Sequence, residues 1–124
     1  MKLELLEKDY SIYKFNTEYV VNLKSQSDEF FSITKTNEEL SIVAQENAFN
    51  DFLKIEIGWK ILKINGLLDF TLIGILSKIS TILANEKISI FVISTYNTDY
   101  IMVKKENIIK AMEILRKNNY EIKE

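Results

Sequence analysis

The sequence lacks cysteine, histidine and proline, and it holds three glycines among its 124 residues. Without cysteine there are no disulfides and no thiol nucleophiles. Without cysteine and histidine there are no zinc sites of the usual kind and no Ser-His-Asp triads, and the commonest proton shuttle is missing. Catalysis by carboxylates, lysine or tyrosine remains open, but no motif places a nucleophile beside a base. We therefore expect that the protein is not an enzyme.

The residues that are present also show no pattern for a metal ion or a phosphate group. The acids are scattered, without the spacing of metal ligands. Gly66 and Gly74 do not form a glycine-rich phosphate loop, and Gly58 lies inside a predicted strand. The sequence therefore predicts no metal site and no cofactor.

Charge of one sign and long apolar runs are scarce as well. The formal net charge is −2, with acids and bases interspersed, and 47% of the residues are hydrophobic. A nucleic-acid-binding protein would more often show a basic face. No apolar run reaches the ~18 residues of a membrane span, and the N-terminus alternates apolar and charged residues as a strand does. We expect a folded cytoplasmic protein, of one compact domain or two very small ones, that binds neither nucleic acid nor membrane.

The first half of the chain is predicted to form strands. Apolar and charged residues alternate over residues 2–7, and three further strand-like runs cover residues 11–15, 29–35 and 39–45. Residues 16–28 give a weaker signal, which fits either a short helix or an irregular crossover. The N-terminal half is therefore predicted to be rich in β-structure.

The second half is predicted to be strand, helix, strand, strand, helix, strand. The strands are predicted at residues 55–64, 88–95, 100–104 and 120–123, and the helices at residues 69–84 and 105–118. This order is the ferredoxin-like arrangement, an antiparallel four-stranded sheet with two helices on one face. Right-handed crossovers place its first and third strands at the centre. The predicted fold class is α+β, with an N-terminal domain at residues 1–54 and a ferredoxin-like domain at residues 55–124.

A candidate anion site lies where the first strand of the second half ends and the long helix begins. Gly66 breaks the strand, and Asp69 is a good N-cap for the helix. Amides in a first helical turn lack intrahelical acceptors, and the helix dipole favours an anion there, so an amino-acid carboxylate is a suitable guest. The alternative is that Gly66 only turns the chain and Asp69 only caps the helix.

A polar hairpin is predicted between the last two internal strands. Ser94, Thr95 and Thr98 offer hydroxyl groups there, and Asp99 adds a fixed negative charge that suits a ligand ammonium or guanidinium group. The alternative is an ordinary hairpin, because such residues favour turns by bonding to their own backbone. Since Asp69 is expected to cap its helix, Asp99 is the acid that we expect to meet a ligand.

Three stretches resemble known sequences. Residues 59–76, WKILKINGLLDFTLIGIL, resemble the first strand and helix of ACT domains. Residues 88–103, ISIFVISTYNTDYIMV, are similar to the second motif of small bacterial proteins with a tandem pair of ACT-like domains. Residues 31–43, FSITKTNEELSIV, resemble the N-terminal signature of that subgroup. The resemblance covers nearly the whole chain, and it implies a ferredoxin-like ACT domain preceded by an abbreviated, β-rich ACT-like domain.

The resemblance also implies a function. ACT domains typically bind amino acids and regulate enzymes or transporters, with the ligand at an interface between two such domains. We therefore expect a non-catalytic regulatory module that binds a small ligand, such as a free amino acid, at an interface between ACT-like domains. A homodimer and a regulated enzyme are the expected partners. The alternative is a structural ACT protein that assembles, as a dimer or with an enzyme, without a small ligand.

The predicted ligand site combines the strand-to-helix loop, the polar hairpin and two side chains of the N-terminal half. Ser32 and Thr34 are expected to face the same cleft from that half. The residues expected to bind the ligand are Gly66, Leu67, Leu68, Asp69, Phe70, Thr71, Ser94, Thr95, Thr98, Asp99, Ser32 and Thr34. In this hypothesis the loop amides receive the ligand carboxylate, and Asp99 receives its amino group or a cationic side chain.

Overall fold

A computed structural model describes residues 1–26, 29–65 and 74–124 of the chain. The chain forms two compact units. The larger unit comprises residues 1–7 and 60–124, and the smaller unit comprises residues 8–59. The division predicted from the sequence runs instead between residues 54 and 55. The two divisions differ because the first strand of the chain pairs with strands of the C-terminal part.

The described elements follow the predicted order of strands and helices. The strands are β1 (Lys2–Leu5), β2 (Tyr10–Phe15), β3 (Ser32–Lys35), β4 (Leu40–Gln45), β5 (Lys54–Ile64), β6 (Ile90–Ser94), β7 (Asp99–Lys104) and β8 (Glu121–Lys123). The helices are α1 (Ile75–Asn85) and α2 (Ile108–Lys117), with 3₁₀ turns at Leu23–Ser25 and Lys105–Asn107. The predicted start of the first helix, with its N-cap Asp69, lies outside the described residues.

The smaller unit is an antiparallel sheet with strand order β3-β4-β2-β5. Because strand side chains alternate between the two faces, Tyr13 and Phe15 of β2 lie on one face, where both are buried. Aromatic side chains from the connecting segments cover that face: the Phe49 ring packs edge-on at 5.2 Å from both the Tyr13 and Phe15 rings. The core of this unit is therefore aromatic and is covered by loops.

The larger unit has the predicted ferredoxin-like architecture with one addition. The third strand of the β-α-β-β-α-β order, β7, pairs with β5, its first strand, as predicted. The addition is β1, which lies between β5 and β8. Leu3 stands opposite Ile64 in an antiparallel pair and opposite Ile122 in a parallel pair. The first residues of the chain therefore complete the sheet of the C-terminal domain.

The core of the larger unit lies between one sheet face and the two helices. Leu62 and Ile64 of β5 and Ile101 and Val103 of β7 face the helices because they alternate along their strands. The helices supply Ile79 and Leu83 from α1, and Ile108, Ala111, Met112 and Leu115 from α2. These helical residues recur at the three- and four-residue spacing predicted from the sequence. After α2, Asn119 has a φ of 71°, the left-handed conformation expected of an asparagine at a helix end.

Candidate functional site

The hairpin between β6 and β7 is closed by its own threonines. The Thr95 amide donates to the Thr98 carbonyl oxygen at 2.8 Å, and the Thr95 hydroxyl donates to the same oxygen at 3.1 Å. The Thr98 amide in turn donates to the Thr95 hydroxyl oxygen at 3.4 Å. This is the local bonding by which threonine stabilises turns. The Thr95 hydroxyl is therefore engaged within the hairpin, as the ordinary-hairpin alternative expects.

The Thr98 hydroxyl joins the hairpin to the end of β5. It donates to the main-chain carbonyl oxygen of Ile64 at 2.6 Å, and the residue is 2% exposed. A threonine hydroxyl has one proton to donate, so this bond uses its donor. Thr98 fixes the position of the turn, and a ligand could meet only the lone pairs of its oxygen.

Asp99 is a buried acid at the first position of β7. The residue is 8% exposed. It alternates in phase with Ile101 and Val103, so its side chain belongs to the sheet face that the helices cover. Its side-chain oxygens are not among the described buried polar atoms that lack a hydrogen-bond partner. Removing a charge from most of its water is costly unless the charge is balanced, so this position favours a cationic partner.

Ser94 lies directly across the hairpin from Asp99 and carries a hydroxyl group. The two residues are the last cross-strand pair of the hairpin, with Ser94 at the end of β6. Directly opposed residues in an antiparallel pair place their Cβ atoms about 4.5–5.5 Å apart on one face. Ser94 is exposed. The pair therefore places one carboxylate and one hydroxyl side by side, next to the turn of the hairpin.

The other residues of the predicted site are residues 66–71, which the structure does not describe, and two residues of the smaller unit. Residues 66–71 lie outside the described residues, so their contribution stays a prediction. Ser32 and Thr34 lie on β3 of the smaller unit, opposite Val43 and Ser41. Both share one face of that strand because they are two residues apart. Their place in a common ligand site also stays a prediction.

Among the described residues, the Tyr10 phenol has a strongly raised pKa, and the sequence did not single out this group. Tyr10 of β2 is fully buried, and its hydroxyl donates to Glu29 Oε1 at 2.6 Å. Burial, followed by the hydrogen bond and the charge of Glu29, raises the pKa of the Tyr10 phenol well above its ordinary value. A phenol held neutral in this way is neither a nucleophile nor a base at neutral pH. The hydrogen bond instead joins β2 to the segment that precedes β3.

The described part of the chain also lacks two other kinds of site. Over residues 1–26, 29–65 and 74–124, no three acidic side chains come together in a way that could hold a metal ion. Neither described helix is long and apolar enough to cross a bilayer.

The candidate site consists of the Asp99 carboxylate with Ser94 beside it, and Thr98 as the residue that positions them.

Comparison with protein families matches both parts of the chain. Residues 54–117 match the model of the ACT domain. Residues 8–51 match a model that describes an N-terminal domain. The second match falls within the smaller unit, and most of the first falls within the larger unit. No curated protein sequence matches the chain.

Solved structures show the same fold. One is the crystal structure of a protein from Agrobacterium tumefaciens whose sequence is 28% identical to this chain. The two structures superpose with a TM-score of 0.88, and the match covers 98% of this chain and 90% of that protein. A protein of unknown function from Vibrio cholerae, described as a possible transport protein, is 23% identical, with a TM-score of 0.69 over 94% and 88%. The α and β subunits of aspartokinase are 13% identical, with a TM-score of 0.64 over 94% and 96%. At these identities the last two show the fold alone.

Proposed function

The chain belongs to the ACT domain family, and from this we propose that it is a regulatory module that binds a free amino acid at the Asp99 end of its ACT domain. The observation that carries the proposal is the environment of Asp99. The residue is 8% exposed, and its side chain lies on the helix-facing side of the sheet with Ser94 directly opposite. A ligand ammonium group would balance its charge there.

The proposed ligand is held at both of its charged ends. Its amino group, or a cationic side chain, meets Asp99, and the Ser94 hydroxyl lies beside that contact. Its carboxylate meets main-chain amides of residues 66–71, as the sequence pattern predicts. The Thr98–Ile64 hydrogen bond supports this arrangement because it ties the hairpin to the strand from which those residues continue.

Binding is proposed to regulate through the populations of states. A ligand that prefers one packing or one oligomer shifts the protein towards it by its difference in affinity for the two. We propose a homodimer as the assembled state and an enzyme as the regulated partner. The absence of paired nucleophile and base from the sequence agrees with a regulatory and not a catalytic role.

An assembly protein without a ligand is the second candidate, and two observations favour it. The Thr95 and Thr98 hydroxyls already donate within the chain, so two of the predicted ligand contacts are occupied. Among the described strands, β6 pairs with β7 alone, which leaves its other edge open to a partner strand. This candidate predicts a dimer whose stability does not respond to amino acids.

A thermal-shift screen of the twenty amino acids separates the two candidates. A ligand at about 100 times its dissociation constant adds about 2.7 kcal/mol to the free energy of unfolding. Asp99→Asn should abolish the shift, while Glu106→Gln, which removes an exposed acid from the same unit, should retain it. If none of the twenty raises the melting temperature, the assembly function is supported instead, and sedimentation velocity should then show a ligand-independent dimer.

A further inference from the structure

The smaller unit has a cavity of about 280 Å³ that the proposed amino-acid site does not use. It lies where the chain enters β3 and leaves β4. Phe30 and Phe31 line it immediately before β3, and Gln45 and Glu46 line it at the end of β4. Gln26, just after the first 3₁₀ turn, and Asn47, just after β4, are the other amide residues of the described lining. All of these residues belong to one compact unit.

The charge of the cavity comes from one carboxylate. Glu46 is the acidic lining residue, and the described lining holds no lysine or arginine. Its Oε1 accepts a hydrogen bond from the Gly58 amide at 3.1 Å. Gly58 has a φ of 80° and lies where the register between β2 and β5 shifts, as in a β-bulge. A carboxylate has about four lone-pair sites, so this bond orients the side chain and leaves acceptor capacity for a ligand.

The two phenylalanine rings are held in place by other aromatic rings. Phe30 packs edge-on against Tyr10, with ring centroids 5.9 Å apart. Phe31 packs against Phe49 of the aromatic core, at 6.4 Å. Aromatic faces attract cations through the ring quadrupole, and their hydrocarbon surface suits the carbon atoms of a ligand. A cavity that combines such rings with one carboxylate therefore has the chemistry of an amine site.

We propose that this cavity binds a small organic cation of the quaternary-amine class. The charged nitrogen lies at Glu46, and the carbon atoms lie against Phe30 and Phe31. The volume, at the lower end of that of small-molecule pockets, selects a ligand of few atoms. No lysine or arginine in the described lining favours an anion. The site is independent of Asp99, which belongs to the other compact unit.

Isothermal titration of the full chain with choline and with its uncharged isostere, 3,3-dimethylbutan-1-ol, tests the charge requirement. Choline should bind at least about tenfold more tightly than the alcohol, because a contact between charged groups lowers the dissociation constant about tenfold or more. Equal binding of the two compounds, or no binding of choline, overturns the proposal.

Variants then locate the bound choline. Glu46→Gln keeps an acceptor for the Gly58 amide but removes the charge, and it should weaken choline binding about tenfold. Glu38→Gln removes an exposed charge from the same unit and should bind as the wild type does. Phe31→Leu, which leaves every charge in place, should also weaken binding. Unchanged choline affinity in Glu46→Gln and Phe31→Leu overturns the proposal. Asp99→Asn should bind choline normally, so the outcome is separate from that of the amino-acid site.

Discussion

The Thr98 hydroxyl donates to the Ile64 carbonyl oxygen at 2.6 Å, and so joins the β6–β7 turn to the end of β5. The sequence singles out two stretches, the strand-to-helix loop after β5 and the polar hairpin between β6 and β7. The bond connects them, because Ile64 lies just before the loop and Thr98 lies in the hairpin next to Asp99. Thr98 was predicted to offer its hydroxyl to a ligand. The structure shows that the hydroxyl proton is donated to Ile64, which fixes the turn beside the end of β5. A contact between the Thr98 oxygen and a ligand stays a prediction.

Replacing Thr98 by valine should destabilise the larger unit. Valine has nearly the same shape but cannot donate, so the Ile64 carbonyl loses its partner in a buried position, at a cost of about 1–3 kcal/mol. Thr98→Ser keeps the donor and loses one methyl group, so it should cost about 0.8 kcal/mol. Urea unfolding of the two variants measures the difference. Equal stability of Thr98→Val and the wild type would show that the bond contributes nothing.

Replacing Leu3 by alanine tests the position of β1. Leu3 is fully buried between Ile64 and Ile122, so the substitution should cost about 2–5 kcal/mol through lost contacts and a residual cavity. Hydrogen exchange should show the loss of protection in β5 and β8. Leu53→Ala, at a residue that is 64% exposed, is the control and should change stability by less than about 0.5 kcal/mol.

A different pairing of β1 would change which strands lose protection in Leu3→Ala. If β1 belonged with residues 8–54, Leu3→Ala would reduce protection in β2 and β4 and leave β8 unchanged. That result would contradict the division of the chain into residues 1–7 with 60–124 and residues 8–59.

Helix α2 shows what the sequence determines on its own. The positions of Ile108, Ala111, Met112 and Leu115 could be predicted because a helix repeats locally, and neighbours in the chain decide which face is apolar. The pairing of β1 with β8 could not, because strand alternation tells which face a residue occupies but not which distant strand lies beside it. The acceptor of Thr98 was missed for the same reason, since the Ile64 carbonyl belongs to another strand.

Stability at alkaline pH should depend on Tyr10. Burial and the contact with Glu29 raise the pKa of Tyr10 above its ordinary value of about 10, so folding favours the neutral phenol. The contribution of Tyr10 to the free energy of unfolding is therefore fully present below about pH 10, the pKa of a tyrosine in the unfolded chain. It is lost as the pH rises above that value. Urea unfolding between about pH 8 and pH 11 should show a smaller fall in stability for Tyr10→Phe than for the wild type. Tyr96→Phe, at a fully exposed position, is the control. Parallel curves for wild type and Tyr10→Phe would contradict the assignment.

The central claim is that Asp99 receives the cationic end of an amino acid, and a pair of binding isotherms tests it most directly. The amino acid that gives the largest thermal shift is titrated into the wild type and into Asp99→Asn, which has nearly the same shape without the charge. A buried ion pair loses about 3–5 kcal/mol when one partner is removed, so binding to Asp99→Asn should fall by at least about a hundredfold. Equal affinity of the two proteins would contradict the claim.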